Sequence, residues 1–137
     1  VREALSLYGA VPLERRVGYP RRMSKPVQAS FGLVVRFDLI EGHERAFDEL
    51  ITETVRGIRE SEPGTLEYVI HLDPSRPGVR VFYELYEDEA AFQGHEAQAH
   101  VQRFLRDRAE HLRTDPEVWR VVPAAGVIRT NLANMIP

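Results

Sequence analysis

The chain has 137 residues, 43% hydrophobic and 28% charged, with 18 Lys plus Arg against 21 Asp plus Glu for a net charge of -3. That length suits one domain, and the charge balance excludes a strongly basic nucleic-acid binder. The lack of cysteine excludes disulfides, thiolate metal sites and a Cys nucleophile together; no apolar run approaches the ~20 residues of a membrane span, and a cytoplasmic protein fits.

Residues 1–29 stand apart. Six basic residues (Arg2, Arg15, Arg16, Arg21, Arg22, Lys25) against Glu3 and Glu14 give this stretch a local charge of +4. Pro12, Pro20 and Pro26 punctuate it and no period lasts, so a disordered basic arm is expected over 1–29. It has no continuous apolar stretch of the signal-peptide kind. Met23, just ahead of the first patterned strand, is either the biological start or an internal residue of a real arm.

Phe31, Leu33, Val35, Phe37 and Leu39 alternate against Arg36 and Asp38, which predicts a strand over 31–40. After Gly42, Phe47, Leu50, Ile51, Thr54 and Ile58 recur at helical spacing from His43 to about Ser61. Glu44 suits the first turn, and Pro63-Gly64 stops the helix. Residues 65–73 alternate again, with Leu66, Tyr68, Ile70 and Leu72 on one face and Glu67, Val69, His71 and Asp73 on the other. Asp73 to Gly78 is a turn by composition. Residues 79–87 complete a hairpin, with Val79, Val81, Tyr83 and Leu85 on one face. Asp88 to Phe92 opens a short helix. A longer one follows to about Thr114, with Val101, Phe104, Leu105, Arg108 and Leu112 at helical spacing. Val118 to Val122 is the last strand, made an edge or ended early by Pro123. Residues 124–137 form a tail with a short apolar patch at Val127 and Ile128.

Strand, helix, strand, strand, helix, strand is the split βαβ order of a ferredoxin-like α+β fold, here with an antiparallel four-stranded sheet over residues 30–123. Two helices cover one face of such a sheet. The other face, read as carrying Val34, Val69, Phe82 and Tyr86, is too apolar to stay wet. A second copy packing sheet against sheet is therefore expected, closing a dimeric barrel.

The stretch Glu62-Pro63-Gly64-Thr65-Leu66-Glu67-Tyr68 resembles the antibiotic biosynthesis monooxygenase family. So does the run from Phe82 through Tyr83-Glu84-Leu85-Tyr86 to Ala90-Ala91-Phe92, followed by His95, His100 and Phe104. The resemblance covers roughly residues 30–122, with Tyr86 where the family commonly has Trp. It implies a dimeric α+β barrel and one of several activities: oxidation of anthrones or hydroquinones by molecular oxygen without a cofactor, haem degradation, or isomerisation of small phosphorylated sugars. The Asn, Trp and His of the haem-degrading branch align approximately with Val34, His95 and Leu105, so that triad is absent.

With no thiol, no nucleotide-binding glycine pattern and no obvious metal cluster, the chain brings no redox centre of its own, and no cofactor or metal is expected. An electron-rich phenol, hydroquinone or anthrone can supply the electrons once it is deprotonated. The protein then needs a base, a shaped apolar pocket and hydrogen bonds to the oxyanion. His95 is the first choice of base. It follows Gly94 at a helix boundary, where its side chain can tilt toward the sheet; otherwise it is a surface or capping residue. His100 is the second choice, with a helix start as its plainer role. His71 faces away from Tyr68 and suits the dimer contact, whereas His43 and His111 look solvated. His95 and His100 are five apart, about 140° around a helix, rather than the four of a zinc-binding helix.

Tyr68 and Tyr83 are read as sharing the helix-side face, where they either stack on a bound aromatic or form ordinary core. Trp119 walls the same pocket or packs between subunits. Glu84 and Glu87 lead from strand into helix rather than forming a catalytic pair, and Arg36 and Asp38 serve the subunit contact. The expected function is a homodimeric, cofactor-independent monooxygenase acting with oxygen on a small aromatic substrate. The alternatives are a ligand-binding or dimerisation module of the same fold, or an isomerase in which His95 shuttles protons. A phosphorylated substrate would want a basic cluster, and the sequence shows none plainly.

Overall fold

In the computed structural model the described residues are 29–127; the arm, apart from Ala29, and the tail from Ile128 onward lie outside them. The elements are β1 (Phe31–Asp38), α1 (Glu44–Ser61), β2 (Thr65–Asp73), β3 (Arg76–Tyr86), α2 (Glu89–Ala97), α3 (Ala99–Asp107), a 3-10 turn (Arg108–His111) and β4 (Glu117–Val121). The strands form one antiparallel sheet in the order β2-β3-β1-β4, the ferredoxin-like arrangement of an α+β fold.

The alternation of β1 decides the core. Leu33, Val35 and Phe37 of this central strand are almost wholly buried, and directly opposite on β3 lie Glu84, Phe82 and Arg80. α1 lays the stripe Phe47, Leu50, Ile51, Thr54 and Ile58 over that face, and α3 adds Val101 and Phe104. Phe37, Phe47, Phe82 and Phe104 meet at ring separations of 4.7–6.3 Å. Gly42, with φ of 89°, makes the turn into α1 that a side chain would resist. Arg80 clamps α1 to β3 through a forked pair with Asp48, at 2.8 and 3.0 Å.

The hairpin turn is tighter than its composition suggests. Asp73 accepts from Ser75 and Arg76, which closes the chain over Pro74-Ser75 and leaves Arg76, Pro77 and Gly78 in β3. The expected long second helix is shorter: α3 ends at Asp107 and tightens into the 3-10 turn.

The phase of β3 differs from the expected one. Phe82 and Tyr86 pack under the helices, while Val79, Val81, Tyr83 and Leu85 face the other way. Both faces of this strand are apolar, and its charges mislead, because Arg80 and Glu84 are themselves buried and point inward, Arg80 to the half-exposed Asp48 and Glu84 to the buried Tyr86. The face away from the helices therefore carries Val34, Val69, Tyr83, Leu85 and Trp119, without Phe82 or Tyr86. Arg36 lies there too, paired with Asp38 and Glu117. His43 and His111 are not solvated: their Nδ1 atoms meet at 3.0 Å in a half-buried contact.

Candidate functional site

Three elements converge on one carboxylate. α1 ends in Glu62, which sits at the helix C-terminus, where the backbone dipole disfavours an acid. Its compensation comes from three donors. His95 of α2 meets Oε1 through Nδ1 at 2.7 Å, the Thr65 hydroxyl donates to the same oxygen at 2.8 Å, and His100 of α3 meets Oε2 through Nε2. Burial alone would push the Glu62 carboxyl up. The hydrogen bond and charge of His95, with the bonds from His100 and Thr65, outweigh it and hold the pKa below the usual 4.5. Glu62 is thus ionised at neutral pH, and both ring nitrogens facing it donate.

The chain brings both histidines to this point by breaking its helix. Gln98 is extended (ψ 142°) between α2 and α3, so the rotation of about 140° expected for a continuous helix does not apply. His95 is only 1% exposed. Among the described residues no three His, Asp or Glu side chains group as metal ligands. Gly57 of α1 makes room for His100: a Cβ there would stand 2.6 Å from its Nδ1.

On the sheet side of His95 lie Tyr86, at a ring separation of 5.1 Å, and Tyr68 at 5.5 Å. Tyr86 donates its hydroxyl proton to Glu84 Oε2 at 2.6 Å. Glu84 is fully buried, and burial pushes its carboxyl up to about 7, against the pull of His95, Tyr86 and Arg108. A second carboxylate thus acts electrostatically on the same histidine.

Tyr68 also forms part of a partly enclosed cleft of about 520 Å³ between α1 and β2. Ile51, Val55 and Ile70 supply apolar wall, and Arg56 and Arg59 stand on its α1 side. Tyr68 thus joins the cleft to the buried cluster: its hydroxyl is buried and its ring touches both Phe82 and His95.

Of the five residues singled out from the sequence, His95, His100 and Tyr68 come together. Tyr83 does not share a face with Tyr68. It stands opposite Val69 and Val34 on the face away from the helices, since Tyr68 pairs with Glu84 instead. Trp119 lies on that same outer face, opposite Val34 and 48% exposed, well away from the cleft wall. Sequence reasoning missed Glu62, Tyr86, Arg56 and Arg59 and took Glu84 for a strand end. For Glu62 there was a usable signal: an acid at a helix C-terminus calls for a compensating partner.

The profile of the family described as antibiotic biosynthesis monooxygenase matches residues 30–107. A crystal structure described as an antibiotic biosynthesis monooxygenase superposes with TM-score 0.62 at 27% identity, covering 66% of this chain and 95% of its own. A candidate antibiotic biosynthesis monooxygenase from Bacteroides thetaiotaomicron reaches TM-score 0.68 at 19% identity, covering 74% and 96%. A protein of Mycobacterium tuberculosis gives 0.65 at 20%, covering 70% and 96%. No curated protein matches the sequence.

Proposed function

Since the chain belongs to the antibiotic biosynthesis monooxygenase family, we propose that it is a homodimeric, cofactor-independent monooxygenase that oxidises a small anthrone- or hydroquinone-like aromatic with molecular oxygen. One observation carries the reading. Tyr68 stands in the cleft wall, the ring of His95 lies 5.5 Å from it, and Glu62 grips His95 from behind.

In this reading the substrate packs against Tyr68, and its acidic proton leaves toward His95 by way of that side chain. Glu62 keeps Nδ1 protonated, so Nε2 is the nitrogen that takes up and returns the proton. The substrate anion passes one electron to oxygen, and the resulting radical and superoxide combine at carbon. The peroxide recovers the proton and loses water. For an anthrone, a ring CH2 plus O2 becomes C=O plus H2O, with one oxygen atom in each product. The sheet face bearing Tyr83 and Trp119 is the proposed subunit contact.

Ligand binding without turnover is the second reading, favoured by the 1% exposure of His95. Oxygen consumption by chelator-treated protein with a panel of anthrones and hydroquinones separates the two. Uptake above the protein-free rate is expected, falling about a hundredfold in His95→Gln and clearly in Tyr68→Phe, with circular dichroism confirming that the variants fold. Equal uptake in wild type and His95→Gln removes the histidine from the mechanism. Binding with no uptake on any member of the panel leaves the second reading.

A further inference from the structure

We propose that the cleft between α1 and β2 takes a planar aromatic anion, its carboxylate held by Arg56 and Arg59 and its ring against Val55, Tyr68 and Ile70. This names a substrate class for the oxidation proposed above, and it rests on that reading only for what becomes of the bound molecule.

The arginines carry the inference. Arg56 and Arg59 are three apart on α1, so they project on one side of the helix, and both border the cleft. Neither has a hydrogen bond, ion pair or ring contact among the described residues. The other described arginines are engaged: Arg80 with Asp48, Arg103 with Glu53, Arg36 with Glu117, Arg120 over the ring of Phe31. In a chain whose net charge is -3, acids were available to pair with these two, and no carboxylate lines the cleft. Two unengaged guanidinium forks bordering a largely apolar cleft are suited to a ligand oxyanion.

The rest of the wall selects what carries that anion. Ile51, Val55, Val69 and Ile70 offer no hydrogen bonds and Thr52 already donates its hydroxyl proton to Asp48, so apart from the arginines the wall gives a sugar little to hold, while Tyr68 presents an aromatic surface. The volume of about 520 Å³ falls within the usual range of small-molecule sites. With the anion at the arginines, the ring reaches Tyr68, the residue in contact with His95.

Calorimetric titration in phosphate-free, low-salt buffer tests this with naphthoate, the isosteric neutral naphthamide, and inorganic phosphate. None of the three is a substrate for the oxidation. Naphthoate is expected to bind at least tenfold more tightly than naphthamide. Arg56→Gln/Arg59→Gln should erase that difference while leaving naphthamide unchanged, and rising salt should weaken naphthoate alone. Equal binding of the two naphthalenes, or naphthoate binding indifferent to the double variant, overturns the proposal. Phosphate displacing naphthoate at equal concentration overturns its aromatic part. Naphthoate binding without oxygen uptake on any quinol leaves this inference standing and removes the oxidation. Oxidation of neutral quinols with arginine-independent binding does the reverse.

Discussion

Two carboxylates act on His95, and burial has opposite outcomes for them. Glu62 gathers three donors and stays ionised; Glu84 has Tyr86 on one oxygen and no described partner on the other, and holds its proton up to about 7. The two contribute to stability in different pH windows. Glu62, with its pKa lowered in the fold, stabilises above the ordinary carboxylate value of 4.5 and loses that contribution as pH falls through its folded value. Glu84, with its pKa raised, contributes most below 4.5, and that contribution drains away as pH rises to about 7. Glu84→Gln should therefore lose less stability than wild type between pH 4.5 and pH 8, by about 3 kcal/mol, measured by urea unfolding at both values. Identical pH dependence in the two proteins would mean that Glu84 does not titrate in this range. None of this coupling shows in the sequence, where Glu62 lies 33 and 38 positions from its two histidines.

Among the elements, the meeting of α1 with α3 depends on position 57. The ring of His100 rests where a side chain on α1 would be, so the two helices and the Glu62 bond share one tolerance. Gly57→Ala should cost about 2 kcal/mol by overpacking, read by chemical denaturation. Introduced into a His100→Ala chain, which itself lacks the bond to Glu62, the same substitution should cost far less, because the clash disappears with the ring. A penalty unchanged in the double variant would place the cost elsewhere in α1. Elements with one apolar face were legible: β1 and α1 bury the residues that their periods nominate. β3 was not, because both its faces are apolar and its two inward charges find partners the alternation does not show, Arg80 on Asp48 of α1 and Glu84 on Tyr86 two residues along the same strand. The split into a short and a longer helix was legible, but its exact place at Gln98 was not, since neither Gly nor Pro stands there.

At the scale of the whole molecule, strand order followed from the order of elements alone, while the membership of the open sheet face needed the register. Val34 and Val69 remain on it, and Tyr83 and Trp119 take the places expected for Phe82 and Tyr86, so the case for a sheet-to-sheet dimer survives the change of phase in β3. Sedimentation should give twice the 15.7 kDa chain mass, and Trp119→Asp should give single chains with unchanged circular dichroism; a monomeric wild type would remove the barrel. The extended residue between α2 and α3 has a dynamic consequence. α2 has nine residues, too few to persist alone, and its buried anchors are Phe92 and His95. When it lifts, the histidine leaves Glu62 and meets water in the same event. The proton on that ring therefore exchanges at the pace of a helix opening, microseconds or slower, rather than at the pace of a turning side chain.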